Sequence, residues 1–251
     1  MRVTRCFIDT PLSTGATLVL PATASAHVAR VLRLRAGAAL TLFDGRGGEF
    51  EASIHAVERS GVSVLVVAHV PTERESPLMV TLLQCLARGE RMDFIVQKAT
   101  ELGVTQIIPV HSEHGVVRLA DAAAERRRAH WQSVAIGACE QSGRNRVPMV
   151  LPVQALSEAC AAPPGAAHRL LLEPEAPRSL AAVVAEAGTA AGGAAYALLV
   201  GPEGGLSEAE SALARRAGWS ACRLGPRVLR TETAPLAALA ALQMLAGDFA
   251  A

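Results

Sequence analysis

The periodicity of the chain changes at Leu78, and that change limits the fold more than any other feature. Beyond it, apolar strand-like runs at residues 80–86, 106–110, 169–172, 196–200 and 221–224 alternate with helical segments. Met92, Ile95, Val96, Ala99 and Leu102 recur at helical spacing in one segment, and Trp131, Val134, Ala135 and Ala138 in another. Strands that alternate with helices predict an α/β domain with a mostly parallel sheet covered on both faces. The last helix, 234–246, is apolar almost all round, which predicts a buried element of the kind a dimer interface covers.

Residues 1–74 read differently. Short apolar runs at 17–20, 39–43, 49–54 and 62–68 are separated by Pro21, by Ala36-Gly37 and by the loop Asp44-Gly45-Arg46-Gly47-Gly48. Asp-Gly between two strand runs signals a hairpin. One short helix is expected over 24–32. This pattern predicts a small barrel-like domain, with the charged, proline-bracketed stretch 71–77 as a linker and 75–251 as the second domain.

Composition narrows the function classes. Hydrophobic residues are 51% of 251 and charged residues 19%, which supports a packed core and excludes a disordered chain. The five cysteines never form a CxxC and read as buried thiols in a reducing compartment. His111 and His114 lack a third ligand, so no metal site is expected. The N-terminus has no signal-type apolar core, and no apolar stretch suits a bilayer, so a cytoplasmic protein without membrane attachment is expected.

The net charge is +1, but its distribution is uneven. No acidic residue lies between Thr10 and Phe43, where Arg30, Arg33 and Arg35 cluster. Such a patch suits phosphates, or is a solvated face. Arg144 and Arg146 fall in a loop that suits RNA. Lys98, the single lysine, sits at the edge of a helix's apolar face, placed to anchor a phosphate or to snorkel.

Two segments carry candidate chemistry. In YALLVGPEGGLSEAE (196–210) a buried strand ends at Val200 and runs into Gly201-Pro202-Glu203-Gly204-Gly205, after which Ser207 and Glu210 form a capping box. Ligands of open α/β sheets sit at such strand ends, where glycine admits close backbone approach. In CRLGPRVLRTETAP (222–235) a second strand ends in Gly225-Pro226, followed by Arg227, Arg230 and the first turn of a helix. Thr231 or Thr233 suits a helix cap there. Both turns carry glycine, proline and a charged group, and they can converge on one pocket.

These two segments, together with VLRLRAGAALTLFDGRGGEFEA, RESPL, RGERMDFIVQKATELGV and ACEQSGRNRVP in order, resemble the RsmE family of 16S ribosomal RNA (uracil-N3) methyltransferases, within the SPOUT superfamily. The resemblance covers nearly the whole chain. It implies a PUA-like RNA-binding β-barrel over 1–74 and a SPOUT-type α/β domain over 75–251 with a mostly parallel sheet and a deep trefoil knot. It implies S-adenosyl-L-methionine held by the loops 172–175, 201–205 and 224–230. On these positions the cofactor contacts are Leu172, Glu173, Val200, Gly201, Pro202, Gly204, Leu224, Gly225, Val228, Leu229 and Arg230, with Gly201, Leu224 and Leu229 nearest adenosine. Glu173 departs from the pattern, since many relatives carry histidine before that proline. The implied RNA contacts are Arg30, Arg33, Arg35, Arg91, Lys98, Arg144 and Arg146. The implied partners are 16S ribosomal RNA within the small subunit and a second copy of the chain.

The chemistry this implies turns on charge. An imide N–H is a poor nucleophile until its proton leaves, so the site must align the reactants, accept a proton and stabilise charge on the uracil oxygens. Arg230 suits that stabilisation. Glu203 or Glu232 takes the proton, or orients Arg230. A ribose 2′-O-methyltransferase of the same superfamily and a non-catalytic RNA-binding assembly protein are the competing readings.

Overall fold

The computed structural model describes residues 3–115, 121–161, 165–166, 168–187 and 194–250. The chain divides into two compact units, one of Met1–Glu75 with Cys139–Val147, the other of Ser76–Ala138 with Pro148–Ala251. A single boundary near residue 74 does not describe this division, because Cys139–Val147 belongs to the first unit.

The first unit is a five-stranded sheet of β1 (Thr4–Phe7), β2 (Thr17–Val19), β3 (Ala39–Phe43), β4 (Glu49–Glu58) and β5 (Gly61–Val70), in the order β1-β3-β4-β5-β2. β1 lies parallel to β3, and the other pairs are antiparallel. The loop 44–48 joins β3 to β4 where Asp-Gly predicts a hairpin. β4 and β5 run longer than their apolar runs because inward and outward residues alternate; the outward set mixes polar side chains such as Glu51, His55 and His69 with exposed Val57, Leu65 and Val67. Register shifts at Glu51/Ala52 and Ile54/Ala56 bend this pair. The sheet packs around Leu40, Leu42, Ile54, Val62 and Val64.

The expected helix over 24–32 is two pieces. α1 (Ala22–Ala26) passes into a π-helical turn, His27–Val31, which buries Val28 and leaves Arg30 outside. The chain then reverses at Arg33, whose φ is 52°. Left-handed backbone costs a non-glycine residue about 1–2 kcal/mol. Arg30, Arg33 and Arg35 are all exposed.

Residues 139–147 join this unit through polar bonds. Glu75 accepts from Arg144 Nε at 3.0 Å and Nη2 at 2.7 Å, and from the backbone N–H groups of Asn145 and Arg146 at 3.0 Å each. Arg5 donates to Asn145 Oδ1 at 2.7 Å, and Phe7 N–H to Glu140 at 3.0 Å. Arg144 is therefore not the surface RNA contact that its loop position suggests. Its side chain is 5% exposed and committed to Glu75. Arg146 does lie on the surface.

The second unit is α/β. Its strands are β6 (Met79–Cys85), β7 (Gln106–His111), β8 (Met149–Val150), β9 (Gln154–Ala155), β10 (His168–Leu172), β11 (Ala195–Val200) and β12 (Ser220–Cys222). Its helices are α2 (Arg91–Glu101), α3 (Asp121–Ser142, whose last turn falls in the first unit), α4 (Leu156–Ala161), α5 (Leu180–Ala187), α6 (Glu208–Arg216) and α7 (Thr233–Ala246). The sheet is parallel in the order β12-β10-β11-β6-β7-β8, with β9 also on β7. β6 and β11 are buried almost end to end, as central strands covered on both faces are.

Two expectations change here. α7 buries Ala238, Leu239, Leu242 and Gln243, but Met244 is 55% exposed and Leu245 44%, so the single chain covers one face only. Lys98 pairs with Glu101 on its own helix, at 2.8 and 3.0 Å, so a phosphate there would compete with a carboxylate.

Arg144→Ala strips the half-hidden Glu75 carboxylate of its guanidinium. Breaking a buried pair costs about 3–5 kcal/mol, and Glu75's 17% exposure favours the lower end. The expected result is a lower denaturant midpoint for the first unit. An unchanged midpoint with weakened RNA binding would return Arg144 to the RNA contacts.

Candidate active site

A cavity of about 1010 Å³ opens at the carboxyl ends of β10, β11 and β12. Turns 172–178, 200–206 and 221–232 wall it, and Arg91 reaches it from the first position of α2. This is where an open parallel sheet leaves strand-end backbone free for a ligand.

The structure brings most of the expected site together. Leu172, Glu173, Val200, Gly201, Pro202, Glu203, Leu224, Val228, Leu229, Arg230 and Glu232 all line the cavity. Gly204 and Gly225 do not. Gly204 faces His114, whose Nδ1 lies 3.3 Å from its carbonyl oxygen. A Cβ on Gly204 would stand 3.3 Å from that of His114. Gly225 serves its turn through a φ of 72°. Lys98, Arg144 and Arg146 lie outside the lining, as do Arg30, Arg33 and Arg35.

The turn 201–205 is fixed on both sides. Behind it, Ser207 Oγ accepts from Glu210 N–H at 3.2 Å, and Glu210 accepts from Ser207 N–H at 3.0 Å, the capping box that the sequence predicts. Gly201 leaves little room for a side chain, since a Cβ there would meet backbone Leu206 N at 3.2 Å and press the turn by a few tenths of an ångström.

The sequence does not show what joins the turns. Thr231 Oγ1 donates to Gly201 O at 2.8 Å and accepts from Gln84 Nε2 at 3.2 Å. Thr231 is 6% exposed. It caps no helix: the N-cap of α7 is Glu232, which makes no side-chain cap bond. Its partners lie 30 and 147 residues away, beyond any local signal.

Charge in the cavity is organised by arginine. Arg91 pairs through Nη1 with Glu203 and through Nε with Glu232 at 3.5 Å, so this expected RNA contact faces two carboxylates instead. Arg215 pairs with Glu173, and Arg223 donates to the carbonyls of Ala176 and Pro177. Burial pushes the Glu203 carboxyl up. Hydrogen bonds from Arg88 and its own backbone, with the Arg91 guanidinium, outweigh this and hold it below the ordinary 4.5. The pair therefore contributes stability above 4.5 that disappears as the pH falls through the lowered value.

No thiol serves as a nucleophile here. Burial pushes Cys6, Cys85, Cys139 and Cys222 up to about 12, and Cys160 to about 11. Among the described residues, no three His, Cys, Asp or Glu side chains group as metal ligands.

Residues 74–243 match the RNA methyltransferase domain family, and residues 20–67 the RNA methyltransferase PUA domain. Ribosomal RNA small subunit methyltransferase E of Bacillus subtilis (strain 168) is 33% identical over 228 residues, 88% of this chain and 89% of that protein. The chain belongs to this methyltransferase family. Two solved structures of S-adenosylmethionine-bound proteins resemble it over 99% of this chain and 100% of theirs. A ribosomal RNA small subunit methyltransferase E from Neisseria gonorrhoeae has 42% identity and a TM-score of 0.89. A putative methyltransferase from Legionella pneumophila has 35% identity and a TM-score of 0.91.

Thr231→Val leaves the Gly201 carbonyl and the Gln84 amide each short of a partner. Leaving a buried polar group unpaired costs about 1–3 kcal/mol. Thr231→Ser keeps the hydroxyl and is expected to keep most of that stability. Equal thermal unfolding of the two variants would contradict the bridge.

Proposed function

We propose that this protein is an S-adenosyl-L-methionine-dependent methyltransferase that methylates N3 of a uridine in 16S ribosomal RNA of the small subunit. The observation that carries the proposal is one cavity in which backbone-rich strand-end turns meet Arg230, Glu203 and Glu232. The cavity suits the cofactor by size and lining. It is large enough for a small nucleoside ligand, and the tight turn at Gly201 puts backbone rather than side chain at its wall. Leu172, Glu173, Val200, Gly201, Pro202, Leu224, Val228 and Leu229 would hold it. Glu173 carries its pairing with Arg215 into this role.

When bound, the cofactor supplies an electrophilic methyl group on a sulfonium that leaves as a neutral thioether. The protein's own work falls on the acceptor base. A proton must leave N3, and the charge that develops spreads onto the uracil oxygens. Among the described residues nothing pairs with the Arg230 guanidinium, which lines the cavity and is free to meet that charge.

The first unit suits the RNA backbone through its exposed Arg30, Arg33 and Arg35, since phosphate contacts position a substrate before any base is read. A second copy of the chain would cover the exposed Met244, Leu245 and Phe249 at the end of α7. We read the loops 172–175, 201–205 and 224–230 as those of the knotted region of a SPOUT fold, a reading supported by the match of residues 74–243 to the RNA methyltransferase domain family. No helix is long and apolar enough to cross a membrane among the described residues. We place the protein in the cytoplasm with the ribosomal subunits.

Arg230→Ala is expected to lower turnover about 10²–10³-fold with little change in cofactor affinity. Arg230→Lys recovers part, for lack of the planar fork. Gly201→Val should do the reverse, losing the cofactor because the new side chain pushes against Leu206 and Gly205 and displaces the turn. Single-turnover methylation of small subunits at saturating cofactor, paired with calorimetry, separates these effects. Near-normal turnover in Arg230→Ala would contradict its role, and sedimentation of an active monomer would contradict the dimer.

A further inference from the structure

We infer that Arg91 is a positioning residue: paired with Glu203, it sets Glu232 against the methyl-accepting base, and Glu232 takes the N3 proton. This rests on the function proposed above, for which the sequence leaves Glu203 and Glu232 equivalent.

The structure makes the two carboxylates unequal. Glu203 Oε1 accepts the backbone N–H of Arg88 at 3.0 Å and a second bond from Arg91 Nη1. Those donors favour the charged form, so Glu203 is held as a carboxylate with reduced affinity for protons. It suits the fixed half of an ion pair. No hydrogen bond from a described residue reaches the Glu232 carboxylate. Its Oε2 lies 3.5 Å from Arg91 Nε, and its side chain is 20% exposed to the cavity. Its lone pairs are open to an incoming N–H.

One planar guanidinium thus faces both groups, hydrogen-bonded through Nη1 to Glu203 and ion-paired through Nε with Glu232 at 3.5 Å, and orients one relative to the other. Arg91 is itself well anchored. It opens α2, whose face of Met92, Ile95, Val96 and Ala99 is buried. The remaining charges near Glu232 along its own segment are Arg227 and Arg230, both lining the cavity. Arg230 is reserved for the uracil oxygens, and Arg91 is the cation that holds the acceptor.

The step balances. The N3–H bond breaks as an O–H bond forms on Glu232. The nitrogen pair bonds the methyl carbon, and the carbon–sulfur pair stays on sulfur as the thioether. Glu232 then returns its proton to solvent.

A fluorine at C5 of uracil makes the N3–H more acidic and lessens the need for a base. Subunits reconstituted with 5-fluorouridine RNA therefore test the role of each carboxylate. On ordinary subunits, Glu232→Gln is expected to lower the single-turnover rate about 10²–10⁴-fold. Arg91→Ala and Glu203→Gln should each lower it about 10²-fold through misplacement. Their double variant should fall little further, because the pair acts as a unit, and Arg91→Lys should recover part. On fluorinated subunits all three single deficits should shrink. Side-chain carboxyl NMR provides a readout free of turnover: Arg91→Ala should raise the titration midpoint of Glu203, which the Arg91 guanidinium helps to hold down.

Fluorination that rescues Glu203→Gln but not Glu232→Gln would make Glu203 the acceptor and overturn the inference. So would rescue of no variant, or a Glu203 titration unmoved by Arg91→Ala. Wild-type protein that methylates neither RNA overturns the proposed function, and this inference with it. An active wild type with unaffected variants overturns this inference alone.

Discussion

The hydroxyl of Thr231 holds together two turns that the sheet alone would leave separate. β11 and β12 are not neighbours, since β10 lies between them. The bond from Thr231 to the Gly201 carbonyl, backed by Gln84 from β6, ties the segment after β12 to the turn after β11. Buried polar bonds of this kind specify one arrangement, because leaving any member unpaired is costly. The cavity wall follows from that constraint. So does the presence of Glu203 and Glu232 within reach of one guanidinium, as the two carboxylates sit beside the tied residues.

Much of the second unit was legible in the sequence. Its strands are buried on both faces and read as continuous apolar runs, and its turns begin where those runs stop. The capping box at Ser207 and Glu210 is local chemistry over four residues and was equally plain. The first unit was harder. β1 reads Thr-Arg-Cys-Phe, with too little apolar content to announce a strand, yet it pairs with β3 over four residues. The membership of Cys139–Val147 depends on Glu75 bonding to residues some 70 positions away, which no periodicity encodes.

The candidate site shows the same division. Glycine in a strand-end turn does not say whether it faces the cavity, as Gly201 does, or supplies a conformation, as Gly225 does, or admits a neighbour, as Gly204 admits His114. Arginine says even less. Arg33 is exposed on a turn, Arg144 is buried against a carboxylate, and Arg91 bridges two carboxylates in the cavity, though charge pattern, loop position and family resemblance respectively placed them among RNA contacts. A charge reveals its role only when its partner is known, and Arg91's partner Glu203 is 112 residues away.

The central claim is that this cavity directs methyl transfer to the base rather than to the ribose. Small subunits lacking the modification, incubated with the protein and cofactor carrying a trideuterated methyl group, test it directly. Nucleoside mass spectrometry of the digested 16S RNA should place the label in 3-methyluridine. Label in a 2′-O-methylated nucleoside, or no label in the RNA at all, would contradict the account.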